Sequence, residues 1–299
     1  MESSENLAVC VTCGTQYDFN YEDRPETCRI CNEPRQFVPP SGQSWTTLAK
    51  MQGTYTNEIK QDEADGRIWS IFSRPQFAIG QRALFIQTET GNILWDCITN
   101  LDQETIRFIK ARGGLKAIAI SHPHFYSTHL EWAHEFDCPV YLAAEDQEWL
   151  NRVDSEHRRI FYKGEAIEIL PGATMVKLGG HFPGSSALFW NGNLFVGDSI
   201  GISQSGLIRS HHSERHQVFF FQYAFPNFIP LGPTAMQEMW KRLKPCNFTS
   251  LYSLFYVTTV RDPDVKKMVL DSMQRQACHQ ENANHPLLKE VWPISGSHL

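Results

Sequence analysis

Between residues 92 and 144 the chain alternates strand-like and helix-like runs, and this alternation limits its fold more than any other feature. NILWDCI (92–98), LKAIAIS (115–121) and PVYLAA (139–144) are short apolar runs of strand length. LDQETIRFIKARGG (101–114) reads as a helix that stops at its glycines, with Asn100 or Asp102 as cap. THLEWAHEF (128–136) is a short amphipathic helix that starts at Ser127 or Thr128. A β-α-β-α-β order builds a sheet covered by helices. Upstream, RALFIQTE (82–89) joins NILWDCI through a tight Thr-Gly turn. Downstream, AIEILPG, TMVKLGGH, SALFW and NLFVGD are split by Pro-Gly, Gly-Gly and Asn-Gly turns, so hairpins follow. Helices return at 235–243 and 262–276, with the strand FTSLYSLFYV between them. The layout predicts two packed sheets with helices outside.

A chain of 299 residues, 41% of them hydrophobic, can bury a substantial core. Its net charge of −6 lacks the basic footprint of a nucleic-acid binder. No apolar run reaches the length of a membrane span. The first ten residues, MESSENLAVC, are polar and acidic, unlike a secretory signal or a presequence. A soluble, cytoplasmic protein is expected.

Four of the eight cysteines, Cys10, Cys13, Cys28 and Cys31, form two Cys-x2-Cys pairs within the first 31 residues. Two thiolates on one tight turn bind one metal ion, and a second such turn completes a tetrahedron. Gly14 suits the knuckle backbone. Four ligands close the coordination shell, so this site is structural. The alternative is four ordinary thiols in a loose tail, but a polar segment this short needs a staple to hold a core. Zinc is the favoured metal, and iron in a rubredoxin-like site also fits. Residues 1–36 thus resemble a zinc ribbon. Acidic residues outnumber the arginines there and lysine is absent, which favours a protein contact, a cap on the main domain or a homodimer over nucleic acid. Residues 37–66, starting with the linker-like FVPPSGQSW, read as a tether, and 67–299 as the main domain.

SHPHFYSTH (121–129) follows the apolar run AIAI. His122 and His124 lie two apart on what reads as extended backbone, which aims both imidazoles one way. GGHFPGSS (179–186) sets His181 on a turn after a strand, and LFVGDS (194–199) ends a strand at Asp198. ILWDC puts an acid late in an early strand. The order of these pieces resembles the metallo-β-lactamase superfamily over roughly residues 67–275. That resemblance implies an α/β fold, an αββα sandwich with a metal in the cleft at the sheets' edge. It implies His122, His124, His181 and Asp198 as ligands.

The departures from the family pattern are specific. Its motif Asp and second-site His fall at Tyr126 and Ser127, and its last His falls near Ser253. A mononuclear site results, with Asp198 as fourth ligand or as acceptor for a metal-bound water. His129 is the remaining candidate for a second-site ligand, although its position also suits a helix-surface histidine. His134 lies elsewhere around the helix. His211, His212 and His216 belong either to a lid that supplies a ligand or to a solvated loop.

A three-histidine site with an open position activates water against an ester, thioester or amide carbonyl. Asp198 would orient that water, and Tyr126 could hydrogen-bond an oxyanion but is a poor base at neutral pH. Zinc or iron suits the histidine site. Phe125, Tyr126, Trp132 and Phe182 stand near the implied cleft, while VFFFQYAFPNFIP (218–230) reads as a buried strand plus loop, and Cys97 and Cys138 as core. The leading expectation is a metal-dependent hydrolase with a small-molecule substrate. One alternative is a mononuclear iron enzyme that oxidises a thiol or persulfide through His122, His181 and Asp198. The other is a metal-stabilised binding protein or pseudoenzyme.

Overall fold

The computed structural model describes residues 4–208, 217–280 and 284–292. It divides into two compact units, Met1–Tyr162 and Lys163–Leu299. Among the described residues no helix is long and apolar enough to cross a membrane.

The first unit begins with a small sheet of β1 (Leu7–Cys10), β2 (Gln16–Asn20) and β3 (Trp45–Thr46), with β1 in the centre. After α1 (Leu48–Met51) come β4 (Thr56–Gln61), β5 (Ile68–Arg74), β6 (Ala83–Thr88) and β7 (Gly91–Trp95). They are followed by α2 (Gln103–Lys110), β8 (Ala117–Ala119), α3 (His129–Phe136), β9 (Val140–Ala143) and β10 (Arg159–Tyr162). Strands β4 to β10 form one seven-stranded sheet in chain order. Its pairs are antiparallel from β4 to β7 and parallel from β7 to β10. Parallel neighbours need crossover connections, and α2 and α3 supply two of them. Asp102 is the cap of α2, its carboxylate accepting from Thr105 N at 2.8 Å. All three residues of β8 are buried, as befits a strand covered on both faces.

Residues 45–66 differ from the tether read in the sequence. β3 pairs with β1, and β4 pairs with β5 from Thr56 to Gln61 as the edge of the large sheet. β4 escapes pattern reading because its one buried residue is polar. Asn57 is buried with its amide donating to Asn100 O at 2.8 Å and Thr105 Oγ1 at 3.0 Å. A satisfied buried amide carries no hydrophobic signal.

In the second unit, β11 (Ala166–Leu170), β12 (Ala173–Lys177), β13 (Ser186–Trp190) and β14 (Asn193–Val196) form an antiparallel meander. Asn191 and Gly192 both have positive φ, 48° and 73°, as a two-residue turn between β13 and β14 requires. β15 (Gly201–Ile202) pairs with β16 (Phe219–Phe220), and β17 (Gln222–Ala224) with β18 (Ile229–Pro230). After α4 (Pro233–Leu243), β19 (Ser250–Tyr252) joins the meander parallel to β14, β20 (Thr259–Arg261) closes the six-stranded sheet, and α5 (Val265–His279) follows. Met236, Met239, Trp240 and Leu243 recur at helical spacing on α4 and are buried against Val196, Leu251 and the α5 residues Val269 and Met273. The strand expected over 248–257 shortens to Ser250–Tyr252, because Phe255–Thr258 turns back through Thr258 N to Phe255 O.

Candidate metal centres

The cysteine pairs meet in the first unit. Cys10 ends β1, and the chain reverses at once, with Gly14 N donating to Cys10 O at 2.8 Å and Cys10 N to Thr15 O at 3.0 Å. The second pair repeats the device through Asn32 N to Cys28 O at 2.9 Å. Cys10 Sγ lies 3.6 Å from Cys31 Sγ, and Cys13 Sγ 3.6 Å from Cys28 Sγ. All four thiols are free, and all four are buried. Their ligand atoms lie within 4.8 Å of one another. Metal–sulfur bonds of about 2.3 Å in a tetrahedron put the sulfurs roughly 3.8 Å apart, so the cluster fits such an ion. Gln43 Nε2 donates to Cys10 Sγ at 3.2 Å and the Tyr17 hydroxyl lies 3.2 Å from Cys28 Sγ, contacts that suit sulfur carrying negative charge. Hydrogen bonding with Cys13 holds the Cys10 thiol well below its usual range, while burial pushes Cys13 well above.

The histidine turn also belongs to the first unit. Only His122 is extended, and Pro123–Phe125 form a single 3-10 turn, so the two-apart strand geometry expected from the sequence does not apply. The turn nevertheless brings the His122 and His124 rings to 5.0 Å between centroids. Both imidazoles are buried. His122 Nδ1 is 2.8 Å from Ser121 Oγ. Ser121 N in turn donates to Asp96 Oδ1 at 2.7 Å. The acid of ILWDC therefore fixes the start of the turn. Phe125 packs edge-on to His122, with centroids 4.7 Å apart.

In the second unit, His181 and Asp198 are both buried, and His181 Nε2 faces Asp198 Oδ2 at 3.5 Å. His181 Nδ1 donates to Tyr223 O at 2.7 Å, so in the neutral ring Nε2 carries the lone pair. A lone pair and a carboxylate aimed at each other need a cation or a proton between them. A ring that donates one N–H to a backbone carbonyl and offers the other nitrogen is the arrangement of a metal-ligating histidine. Sequence reading missed Tyr223, because the group it supplies is main chain. Ser253, where the family pattern has its last histidine, is buried beyond β19, its N donating to Thr258 O.

Tyr126 and His129 make hydrogen bonds other than those expected of an oxyanion donor and a second-site ligand. The buried Tyr126 hydroxyl donates to Asp146 O at 3.1 Å, and burial pushes its pKa well above the ordinary phenol value. His129 is buried, not on a helix surface. Its Nδ1 donates to Tyr126 O at 2.6 Å, and its Nε2 accepts from Arg159 Nε at 2.9 Å. With both nitrogens engaged, the ring has no lone pair to give a metal. His134 is exposed and lies against Glu156. His211, His212 and His216 lie outside the described residues.

Burial, reinforced by the Arg159 guanidinium, lowers the His129 pKa to about 3 from 6.5. Below pH 6.5 the unfolded chain binds a proton at this imidazole that the folded chain refuses until about pH 3. Its contribution to stability is therefore lost as pH falls through that window, by up to about 1.4 kcal/mol per unit. Denaturant unfolding at pH 7 and pH 5 should show that loss in wild type and a smaller one in His129→Gln. Equal slopes would remove His129 from the acid response.

No protein-family model matches the chain. YmaE of Bacillus subtilis (strain 168), an uncharacterized protein, is 40% identical over 277 residues, which cover 90% of this chain and 93% of YmaE. The chain belongs to the YmaE family. Solved structures give this chain its fold. VMB-1 at pH 5.5 matches with a TM-score of 0.50 at 16% identity, over 74% of this chain and 99% of that one. TMB-1, a structure concerned with substrate and inhibitor binding, matches with a TM-score of 0.51 at 13% identity, over 74% and 98%. The chemotaxis sensor ODP, solved as a peroxy diiron species, matches with 0.50 at 16%, over 71% and 92%. This member of the YmaE family thus has the metallo-β-lactamase fold, as its sequence pattern implied. At such identities the likeness carries the fold and no activity.

Proposed function

We propose that this YmaE-family protein is a metal-dependent hydrolase with a mononuclear active site, in which His122, His124 and His181 would hold one ion and leave its fourth position to a water that Asp198 accepts from. The observation that carries the reading is His181, with Nδ1 given to Tyr223 O and Nε2 turned to the Asp198 carboxylate. Zinc or iron suits a set of three imidazoles. Such an ion, when bound, supplies Lewis acidity and lowers the pKa of a coordinated water.

The protein's own part is orientation and proton handling. Ser121 and the Tyr223 carbonyl fix the His122 and His181 rings through their Nδ1 atoms. Asp198 is the acid left to orient a water and accept its proton, because Tyr126 and His129 are engaged in structure. The buried surroundings strengthen each of these interactions. The substrate class is a small molecule with an ester, thioester or amide carbonyl. In the cysteine cluster, zinc is the proposed structural ion. The cap formed by the cysteine segment leaves contact with another protein or a second copy as a proposal for its outer face.

Metal analysis together with a turnover screen tests the reading. The purified chain should carry about two metal ions, one for each ligand set. The loaded chain should hydrolyse at least one member of an ester, thioester and amide panel. A chain with a single ion, or one inert across the panel, overturns the reading. Iron with oxygen consumption would replace it by thiol oxidation.

A further inference from the structure

The cysteine knuckle and the histidine turn are joined by a short set of hydrogen bonds inside the first unit. Gly14 O accepts from Thr99 Oγ1 at 3.0 Å and from Ser127 Oγ at 3.4 Å. The two hydroxyls lie 3.0 Å apart. Gln16 N donates to Ser127 O at 3.1 Å. Thr128 Oγ1 donates to Thr99 O at 2.9 Å and Ile98 O at 3.2 Å. Thr99, Ser127 and Thr128 are all buried.

Two backbone positions show how closely these parts are fitted. Gly14 has φ of +78°, and a Cβ there would sit 2.2 Å from Thr99 Oγ1. Ser127 has φ of +43°, a left-handed conformation that is costly for a side-chain-bearing residue unless its surroundings hold it. The surroundings that hold it are the knuckle and Thr99. The segment from Ser121 to Thr128, which carries His122 and His124, is therefore clamped at both ends. Asp96 holds its start, and the Gly14–Gln16 turn holds its end. Further contacts brace the knuckle from outside. Arg152 reaches Asp18 at 3.1 Å and Gln16 Oε1 at 2.6 Å, and Asp18 N donates to Asn151 O at 3.2 Å.

We propose that the cysteine module is a positioning device for the histidine turn, with Thr99 and Ser127 as the positioning residues. A metal ion in Cys10, Cys13, Cys28 and Cys31 fixes the Gly14–Gln16 turn. That turn fixes Ser127, and the fixed Ser127 raises the affinity of His122 and His124 for their own ion. The coupling is reciprocal by linkage, so filling the histidine site also tightens the cysteine site. The inference rests on the mononuclear histidine site proposed above.

Thr99→Val is the decisive variant, since it removes one hydroxyl and leaves every proposed ligand in place. Zinc affinity is read by competition with a chromophoric chelator, and His181→Ala identifies which equivalent belongs to the histidine site. In Thr99→Val the cysteine equivalent should stay bound, while the dissociation constant of the histidine equivalent rises about tenfold, the usual scale for an outer-shell partner. Thr99→Ser should restore it. Unchanged affinity at the histidine equivalent overturns the proposal. Amide hydrogen exchange over residues 121–129 gives a second readout, made in His181→Ala so that the histidine ion plays no part. Adding Thr99→Val or Cys28→Ser should deprotect that segment, and unaltered protection in Thr99→Val overturns the clamp. Were zinc content insensitive to His181→Ala, the hydrolase reading would fall, and the exchange arm would still decide the positioning role.

Discussion

His181→Ala is expected to lower the metal content by one ion per chain and to abolish hydrolysis, while the cysteine-bound ion stays. The size of the effect follows from the ring's position. Its side chain is fully buried, with Nδ1 committed to Tyr223 O and Nε2 turned to Asp198. Alanine leaves the Asp198 carboxylate without the cation that the proposed site puts beside it. It also leaves the Tyr223 carbonyl without its donor, at about 1–3 kcal/mol for a buried unsatisfied group. Loss of a structural contact alone would lower stability and leave two ions bound. The two cases separate on elemental analysis of the folded variant. Retention of both ions would show that His181 is a buried histidine satisfied by its neighbours, and a single ion in wild type and variant alike would give precedence to the pseudoenzyme or binding-protein alternative.

What could be read from the sequence follows from which signals are carried by side-chain identity. The βα alternation from 92 to 144 is visible because β7, β8 and β9 are mostly apolar and buried at every position but Gly91 and Tyr141, and Asp102 marks its helix start by chemistry. The Asn-Gly turn at 191–192 is visible because few other residues tolerate both dihedrals. The cysteine cluster is legible because its spacing has few other uses. β4 is hidden by its polar edge, and its buried Asn57 looks like a loop residue. The roles of Tyr126 and His129 are hidden for another reason. Whether a buried histidine is a ligand depends on what occupies its two nitrogens, and Arg159, thirty positions away, occupies one of them. Main-chain partners such as Tyr223 O leave no trace in residue type at all.

Cys28→Ser should cost the chain its other ion and with it the order of residues 7–46. The local core around the knuckles consists of Cys10, Cys13, Tyr17, Cys28, Ile30 and Cys31, with Trp45 and Trp149 half-buried against it. Four of those six buried residues are the ligands themselves, so with the ion removed the apolar area left is too small to hold the fold. Structural zinc in small cysteine modules contributes about 10–16 kcal/mol of apparent binding free energy, far more than two aromatic contacts can replace. Tyr17 would lose the Cys28 sulfur as its partner, while Gln43 would keep both ends of its bridge, to Cys10 Sγ and to the main-chain N of residue 28. Limited proteolysis should therefore open new cuts between Tyr21 and Ser44 in Cys28→Ser, and chelation of the wild-type ion should produce the same cuts. The large sheet from β4 to β10 has its own buried strands and should keep its far-ultraviolet signal. Protection equal to wild type in the metal-free variant would mean that Arg152 and the β1–β3 pairing hold the segment unaided, and that the cysteine ion has a role other than structural support.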